Sequence, residues 1–246
     1  MNFYSSPIDV CFSITSKCNL KCKHCLAVSN EEPEFEKLKS VIDELSRIKV
    51  FKVAIFGGEP LVRKDFFDIV DYLSKYKFSL SLNTNGILLS KENVKKLLER
   101  GIKSFIISLD GSKSEIVEKL RGKGVFEKSV EGIKNAVSLG ANVLISCTVM
   151  KINYLDLENI VMLGKELNVS KVRFNNLFYT GEAIRNIKEL YLSPEEHSQL
   201  IFKIKKLINK FGDYVVGSWV DGVKIIERWE ENPPENDEII EVTPCA

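Results

Sequence analysis

The sequence predicts an α/β fold built on a parallel sheet, from three observations: short apolar runs of strand length, amphipathic segments of helical period between them, and turn or capping residues at the junctions. The first strand-like run is 10–15, and three closely spaced cysteines follow it. A helix comes next, because Phe35, Leu38, Val41, Ile42, Leu45 and Ile48 recur at helical spacing and form one apolar stripe. Residues 52–56 and 79–83 read as the second and third strands, closed by Gly57-Gly58-Glu59-Pro60 and Asn83-Thr84-Asn85-Gly86. Ser90 is placed to cap the next helix and Gly101 to stop it. The fourth strand, 105–109, precedes a helix whose stripe is Phe126, Val130, Ile133 and Val137 and whose stop is Gly140. The fifth strand, 143–149, is followed by Asp156 as an N-cap, and the sixth is 172–178. Ser193-Pro194-Glu195-Glu196 reads as a capping box with proline in the first turn, opening a helix that runs to about Phe211 and stops at Gly212.

Six strand–helix units with right-handed crossovers allow an open doubly wound sheet or a barrel. Periodicity does not separate the two. Motif placement does, because the segments 18–25, 57–60, 83–86 and 110–111 each follow a strand and therefore share one rim. Sites spread over successive strand ends suit a barrel mouth better than the single crevice of a doubly wound sheet. The core domain is expected over 1–212, with 213–246 as a C-terminal extension and linker.

Composition narrows the function classes. A chain of 246 residues that is 44% hydrophobic can bury one large core. Its formal net charge of +1, from 35 basic and 34 acidic residues, offers no field for nucleic acid or an anionic membrane. No apolar stretch is long enough to span a bilayer, and no secretory signal pattern opens the chain. A cytoplasmic protein is expected. Six cysteines in a chain of this size, with a local cluster, favour metal binding in a reducing compartment over a disulfide framework.

Cys18, Cys22 and Cys25 are spaced C-x3-C-x2-C. Electron-carrier clusters are closed by four thiolates, so a local set of three implies either a distant fourth ligand or an iron left open for chemistry. Cys11 and Cys147 fall inside apparent strands and read as small buried hydrophobes rather than ligands. His197 lies on a polar helix face, and Asp110 is either a structural cap or a substrate contact.

The segment 13–25, Ser-Ile-Thr-Ser-Lys-Cys-Asn-Leu-Lys-Cys-Lys-His-Cys, resembles the signature of the radical S-adenosylmethionine (radical SAM) superfamily. Gly57-Gly58-Glu59-Pro60, Asn83-Thr84-Asn85-Gly86 and Ser108-Leu109-Asp110-Gly111 look like its later motifs in their usual order. The resemblance implies a partial (β/α)6 TIM-type barrel. It further implies a [4Fe-4S] cluster on Cys18, Cys22 and Cys25, with S-adenosylmethionine chelating the fourth iron. Reductive cleavage would then give a 5′-deoxyadenosyl radical that abstracts hydrogen from a substrate. By the same resemblance Gly57 and Gly58 receive the methionine ammonium with Glu59 assisting, and Asn83 and Asn85 line the cofactor pocket. Ser108 would bond a ribose or carboxylate oxygen, and Arg121 would meet the methionine carboxylate or else stand on the surface of the 119–124 loop. His24 stands where the family usually has an aromatic and would pack beside adenine; Leu26 replaces a common tyrosine.

The C-terminal stretch changes character. An apolar segment, 214–229, is followed by an acidic, proline-containing linker, 230–241, and then Thr243-Pro244-Cys245-Ala246. This resembles the approach to the Cys-rich SPASM or twitch domain of the superfamily's peptide and protein maturases, so the chain reads as the barrel-bearing piece of such a protein, with the Cys-rich domain absent. The leading expectation is a maturase of a peptide or protein, served by a low-potential donor such as ferredoxin or flavodoxin. A small-molecule cofactor enzyme of the same superfamily is the second, with Arg63 and Lys64 as the visible candidates for a nucleotide triphosphate. A non-catalytic zinc module, using the three cysteines with His24 or Cys11, is the third, disfavoured because structural zinc usually takes two separated pairs of ligands.

Overall fold

The computed structural model describes residues 7–26 and 32–220. Seven strands form one sheet: β1 (Asp9–Ser13), β2 (Lys52–Phe56), β3 (Ser79–Thr84), β4 (Ser104–Ser108), β5 (Asn142–Thr148), β6 (Lys171–Asn175) and β7 (Val215–Val216). They lie in chain order and every neighbouring pair is parallel. Chain order with parallel pairing is the wall of a (β/α) barrel. Among the described residues β7 does not pair back onto β1, so the wall is an open, partial barrel. The six expected strands are present, and the short β7 extends the sheet beyond residue 212.

Helices α1 (Phe35–Arg47), α2 (Phe66–Leu73), α3 (Lys91–Glu99), α4 (Ser114–Arg121), α5 (Val125–Ser138) and α6 (Leu157–Glu166) cross between strands; α7 (Glu182–Arg185) and α8 (Ile187–Leu190) are single turns before α9 (Pro194–Phe211). Alternate strand residues such as Val53, Ile55, Phe105, Ile107, Val143 and Ile145 are fully buried and join the helix stripes in one core. Burying each such side chain contributes about 1.5–3 kcal/mol, and successive strand residues point to opposite faces. Asn83, Ile106, Ser108, Ser146 and Asn175 therefore face the concave side, where they are only half-buried. Asn175 Nδ2 donates to Ser146 Oγ across that face at 2.9 Å.

The punctuation mostly behaves as read. Ser90 Oγ accepts from Asn93 N, and Ser193 with Glu196 forms the capping box. Gly101 and Gly140 take φ of +85° and +81°, the left-handed conformation that suits glycine after a helix. Four readings need correction. Asp156 stands at the N-cap of α6 as read, but its carboxylate makes no capping bond and accepts instead from Ser112 N and Oγ at 2.6 and 2.8 Å. Cys11 is exposed, because its position on β1 alternates with buried Phe12, whereas Cys147 is buried as expected. Val41 is 39% exposed at the edge of the α1 stripe. His197 is half-buried and packs its ring against Tyr191 and Trp219. Residues 221–246, which hold much of the apolar segment read at 214–229 together with the expected linker and terminus, lie outside the described residues.

Candidate functional site

The C-terminal ends of β1 to β4 carry the four motifs on one rim. The cysteine loop follows β1 and is fastened to that rim at both ends. At its start, Gly58 N donates to Thr15 O (2.8 Å) and Glu59 N to Lys17 O (2.9 Å). This approach needs glycine: a Cβ on Gly57 would lie 2.5 Å from Thr15 O, and one on Gly58 would collide with Lys17 O. At its far end, Lys23 N donates to Leu120 O and Glu182 N to Cys25 O, both at 2.9 Å. Asn186 Nδ2 adds a bond to Lys23 O at 3.1 Å.

Glu59 is the hub of the rim. It is fully buried, and its carboxylate accepts from Asn85 N (2.7 Å), Thr84 Oγ1 (2.9 and 3.0 Å) and Leu61 N (3.2 Å). Burial raises its pKa, and these donors oppose the rise. Asn85, also buried, passes the connection on, since its Nδ2 donates to Asn19 Oδ1 at 2.8 Å inside the cysteine loop. Asn83 lies within β3, not in the turn, with Nδ2 3.4 Å from Ile55 O. Ser108 ends β4 as expected and is half-buried.

Behind Cys22 stands a buried charged group. Arg121 ends α4 and is only 9% exposed, so its reading as a surface loop residue is overturned. Its Nε donates to Asp110 Oδ2 at 2.6 Å, its Nη1 lies 4.0 Å from Cys22 Sγ, and its Nη2 is 3.4 Å from His24 Nε2. Asp110 Oδ1 accepts from Thr148 N at 2.8 Å. Burial alone would raise the Asp110 carboxyl; the Arg121 guanidinium and His24 outweigh it and hold it below the usual range. His24 is pushed down to about 4 by burial, with Arg121 adding to and Asp110 opposing the shift, so its ring is neutral at pH 7. Its Nδ1 is buried without a hydrogen-bond partner.

The thiols themselves are protonated at neutral pH where burial acts on them. Desolvation pushes Cys22 up to about 11, against the pull of Arg121, and also raises Cys18. Metal uptake must therefore displace these protons. Among the described residues no three His, Cys, Asp or Glu side chains converge on a single ion. His24 faces Asp110 and Arg121, and Cys11 sits out on β1, so the tetrahedral zinc set has no support. An iron–sulfur cube takes each thiolate on a different iron, and three thiols on one anchored loop fit that demand. Arg63, a candidate for a triphosphate, is spent elsewhere: it is 5% exposed and bonds Asp65 and Ile14 O.

Several anchors escaped the sequence reading. Asn19, Glu182 and Asn186 fasten the loop, and Thr84 holds Glu59 beside it, through contacts distant in sequence. Only Gly181 carried a local signal, as a lone glycine after the sixth strand; a Cβ there would lie 2.6 Å from Cys25 O.

Residues 12–164 match the model of the Radical SAM superfamily. The mycofactocin maturase MftC of Mycolicibacterium smegmatis is 33% identical over 200 residues, covering 79% of this chain and 51% of the relative. The Fe-coproporphyrin III synthase of Methanosarcina barkeri is 31% identical, covering 95% of this chain and 61% of the relative. Streptococcus suis SuiB, crystallised with its precursor peptide SuiA, superposes with a TM-score of 0.72 at 17% identity, covering 87% of this chain and 49% of that one. The chain thus spans about half to six-tenths of the relatives' length.

Proposed function

Because the chain belongs to the radical SAM superfamily, we propose that it is the catalytic barrel of a maturase acting on a ribosomally made peptide or protein. The observation that carries the chemistry is the anchored loop of three thiols, with Cys11 and Cys147 held in β1 and β5. Three thiolates leave one corner of a [4Fe-4S] cluster for S-adenosylmethionine. When bound, these cofactors would supply reductive cleavage of the sulfonium and hydrogen abstraction from the substrate.

The chain's own residues do the positioning. Cys18, Cys22 and Cys25 hold the cluster at the mouth. The close approach of Gly57 and Gly58 brings backbone beside it, and Asn83 and Ser108 bring polar side chains from the concave face for the rest of the cofactor. Glu59 and Asn85 are already satisfied within the protein, so they keep this rim in shape from behind. Leu26, Tyr179, Ile184 and Ile187, all exposed near the loop or on the segment that touches Cys25, give an apolar surround suited to a peptide. The similarity to the maturase MftC over most of the chain, with a fold shared with SuiB in complex with its precursor peptide, favours a peptide substrate. A low-potential donor such as ferredoxin or flavodoxin supplies the electron, in the reducing cytoplasm that free thiols require. Among the described residues no helix is long and apolar enough to cross a membrane.

A tetrapyrrole substrate is the second reading, favoured by the 95% coverage in the alignment with Fe-coproporphyrin III synthase. The test is anaerobic reconstitution with iron and sulfide, followed by reduction with S-adenosylmethionine present. Formation of 5′-deoxyadenosine, abolished in Cys22→Ala, is expected; a colourless protein that cleaves nothing contradicts the proposal. Incubation with a short peptide encoded beside the gene, or with an iron porphyrin precursor, then separates the substrate readings by which one changes mass.

A further inference from the structure

A buried charged pair, Asp110 with Arg121, stands outside the cluster loop's own ligands. Asp110 is 0% exposed and lies at the end of the rim after β4. Every oxygen it offers is engaged: Oδ2 by Arg121 Nε at 2.6 Å, Oδ1 by Thr148 N at 2.8 Å, and its carbonyl by Asn153 Nδ2 at 2.9 Å. Asn153 is itself fully buried and also bonds Thr148 O at 2.8 Å. The carboxylate is thus fixed by the end of β5, and it fixes Arg121 in turn. With Nε tied down, the planar guanidinium has no freedom to swing, and its Nη1 is aimed at Cys22 Sγ, 4.0 Å away.

A buried Asp–Arg pair is weak as a source of stability, since desolvation of both ions roughly cancels their attraction. Its placement gives it another use. Once Cys22 is a thiolate bound to iron, a guanidinium N–H directed at its sulfur stabilises negative charge there. Reduction adds one electron to the cluster, and hydrogen bonds to the sulfurs, local charge and solvent exposure set how readily it is taken. Groups behind the ligands tune a metal centre in this way.

We propose that Asp110 is a positioning residue that holds Arg121 against the Cys22 sulfur and so raises the reduction potential of the cluster. The inference rests on the radical SAM reading of the three thiols and deepens it. It makes a distinctive statement about sign. Removing a negative charge close to a cluster ordinarily eases reduction, so Asp110→Asn acting by its own charge raises the potential. If Asp110 acts through Arg121, the same change frees the guanidinium and lowers it.

The test is a potentiometric titration of the anaerobically reconstituted 246-residue chain, without S-adenosylmethionine, followed by electron paramagnetic resonance of the reduced cluster. Circular dichroism and cluster absorbance establish that each variant is folded and loaded. Arg121→Gln is expected to lower the equilibrium constant for reduction about tenfold, a shift of about 59 mV for a one-electron couple. Arg121→Lys, which keeps the charge and loses the fork, should fall between it and wild type. Asp110→Asn should move in the same negative direction. An unmoved or more positive potential in Asp110→Asn, or none moved in Arg121→Gln, overturns the inference while leaving the cluster intact. If Asp110→Asn does not load, Asp110→Glu, which keeps the charge and displaces the carboxylate, must lower the potential or the inference falls. A wild-type protein that takes up no cluster overturns the underlying reading, and the inference with it.

Discussion

At the scale of single residues, the site depends on groups whose ionisation the fold has shifted. His24 has its pKa lowered from 6.5 to about 4, mainly by burial. The unfolded chain therefore binds a proton in that window that the folded chain refuses, so the stability of the metal-free protein falls as pH drops from about 6.5 toward 4. Asp110 acts in the same direction at lower pH, because its depressed carboxyl must be protonated there. Urea denaturation of the apoprotein at pH 7 and pH 4.5 should differ by on the order of 2 kcal/mol from His24. His24→Phe should remove most of that difference; an unchanged pH dependence in the variant contradicts the assignment. The cysteines were legible in the sequence because chemistry demands their spacing. The Asp110–Arg121 pair was not, because residues 11 apart on a strand end and a helix end meet only through the tertiary fold.

At the scale of elements, α5 shows how the barrel's outer layer holds the rim. Its Ser129 Oγ donates to Asn85 O at 2.8 Å, its Asn135 Nδ2 to Leu89 O at 3.0 Å, and its Gly132 lies against the Gly86 carbonyl. The turn that feeds Glu59 and Asn19 is thus clamped from outside. Gly132→Ala gains helix propensity of about 1 kcal/mol but forces a methyl into backbone, and overpacking of this kind costs about 1–3 kcal/mol. A net loss of up to about 2 kcal/mol, measured by thermal or urea unfolding, is expected; a stabilised variant contradicts the clamp. Ser193→Ala, which removes the cap from α9, should cost about 1 kcal/mol by the same measurement without altering cluster uptake. Stripes and caps reveal such elements in sequence, since both rest on local spacing. Asp156 shows the limit, because a well-placed cap residue was claimed by Ser112, 44 positions away in the chain.

At the scale of the molecule, a parallel wall in chain order brings four sequence-distant segments to one mouth. The α/β alternation and the shared rim could be read from periodicity and from the motifs' positions after strands. The seventh strand could not, since Val215–Val216 is too short to show a pattern and exists by pairing with Val172 and Arg173. The return of residues 180–186 to Cys25 and Lys23 was also hidden, although it closes the far side of the cysteine loop.

The proposed chemistry follows from an open corner of the cluster, and one spectrum addresses it. Electron paramagnetic resonance of the reduced, reconstituted protein should change its g-values when S-adenosylmethionine is added, because the cofactor enters the coordination sphere of the iron that Cys18, Cys22 and Cys25 leave free. A spectrum identical with and without S-adenosylmethionine, from protein carrying a full cluster, would mean that the fourth iron is already closed and would contradict the account.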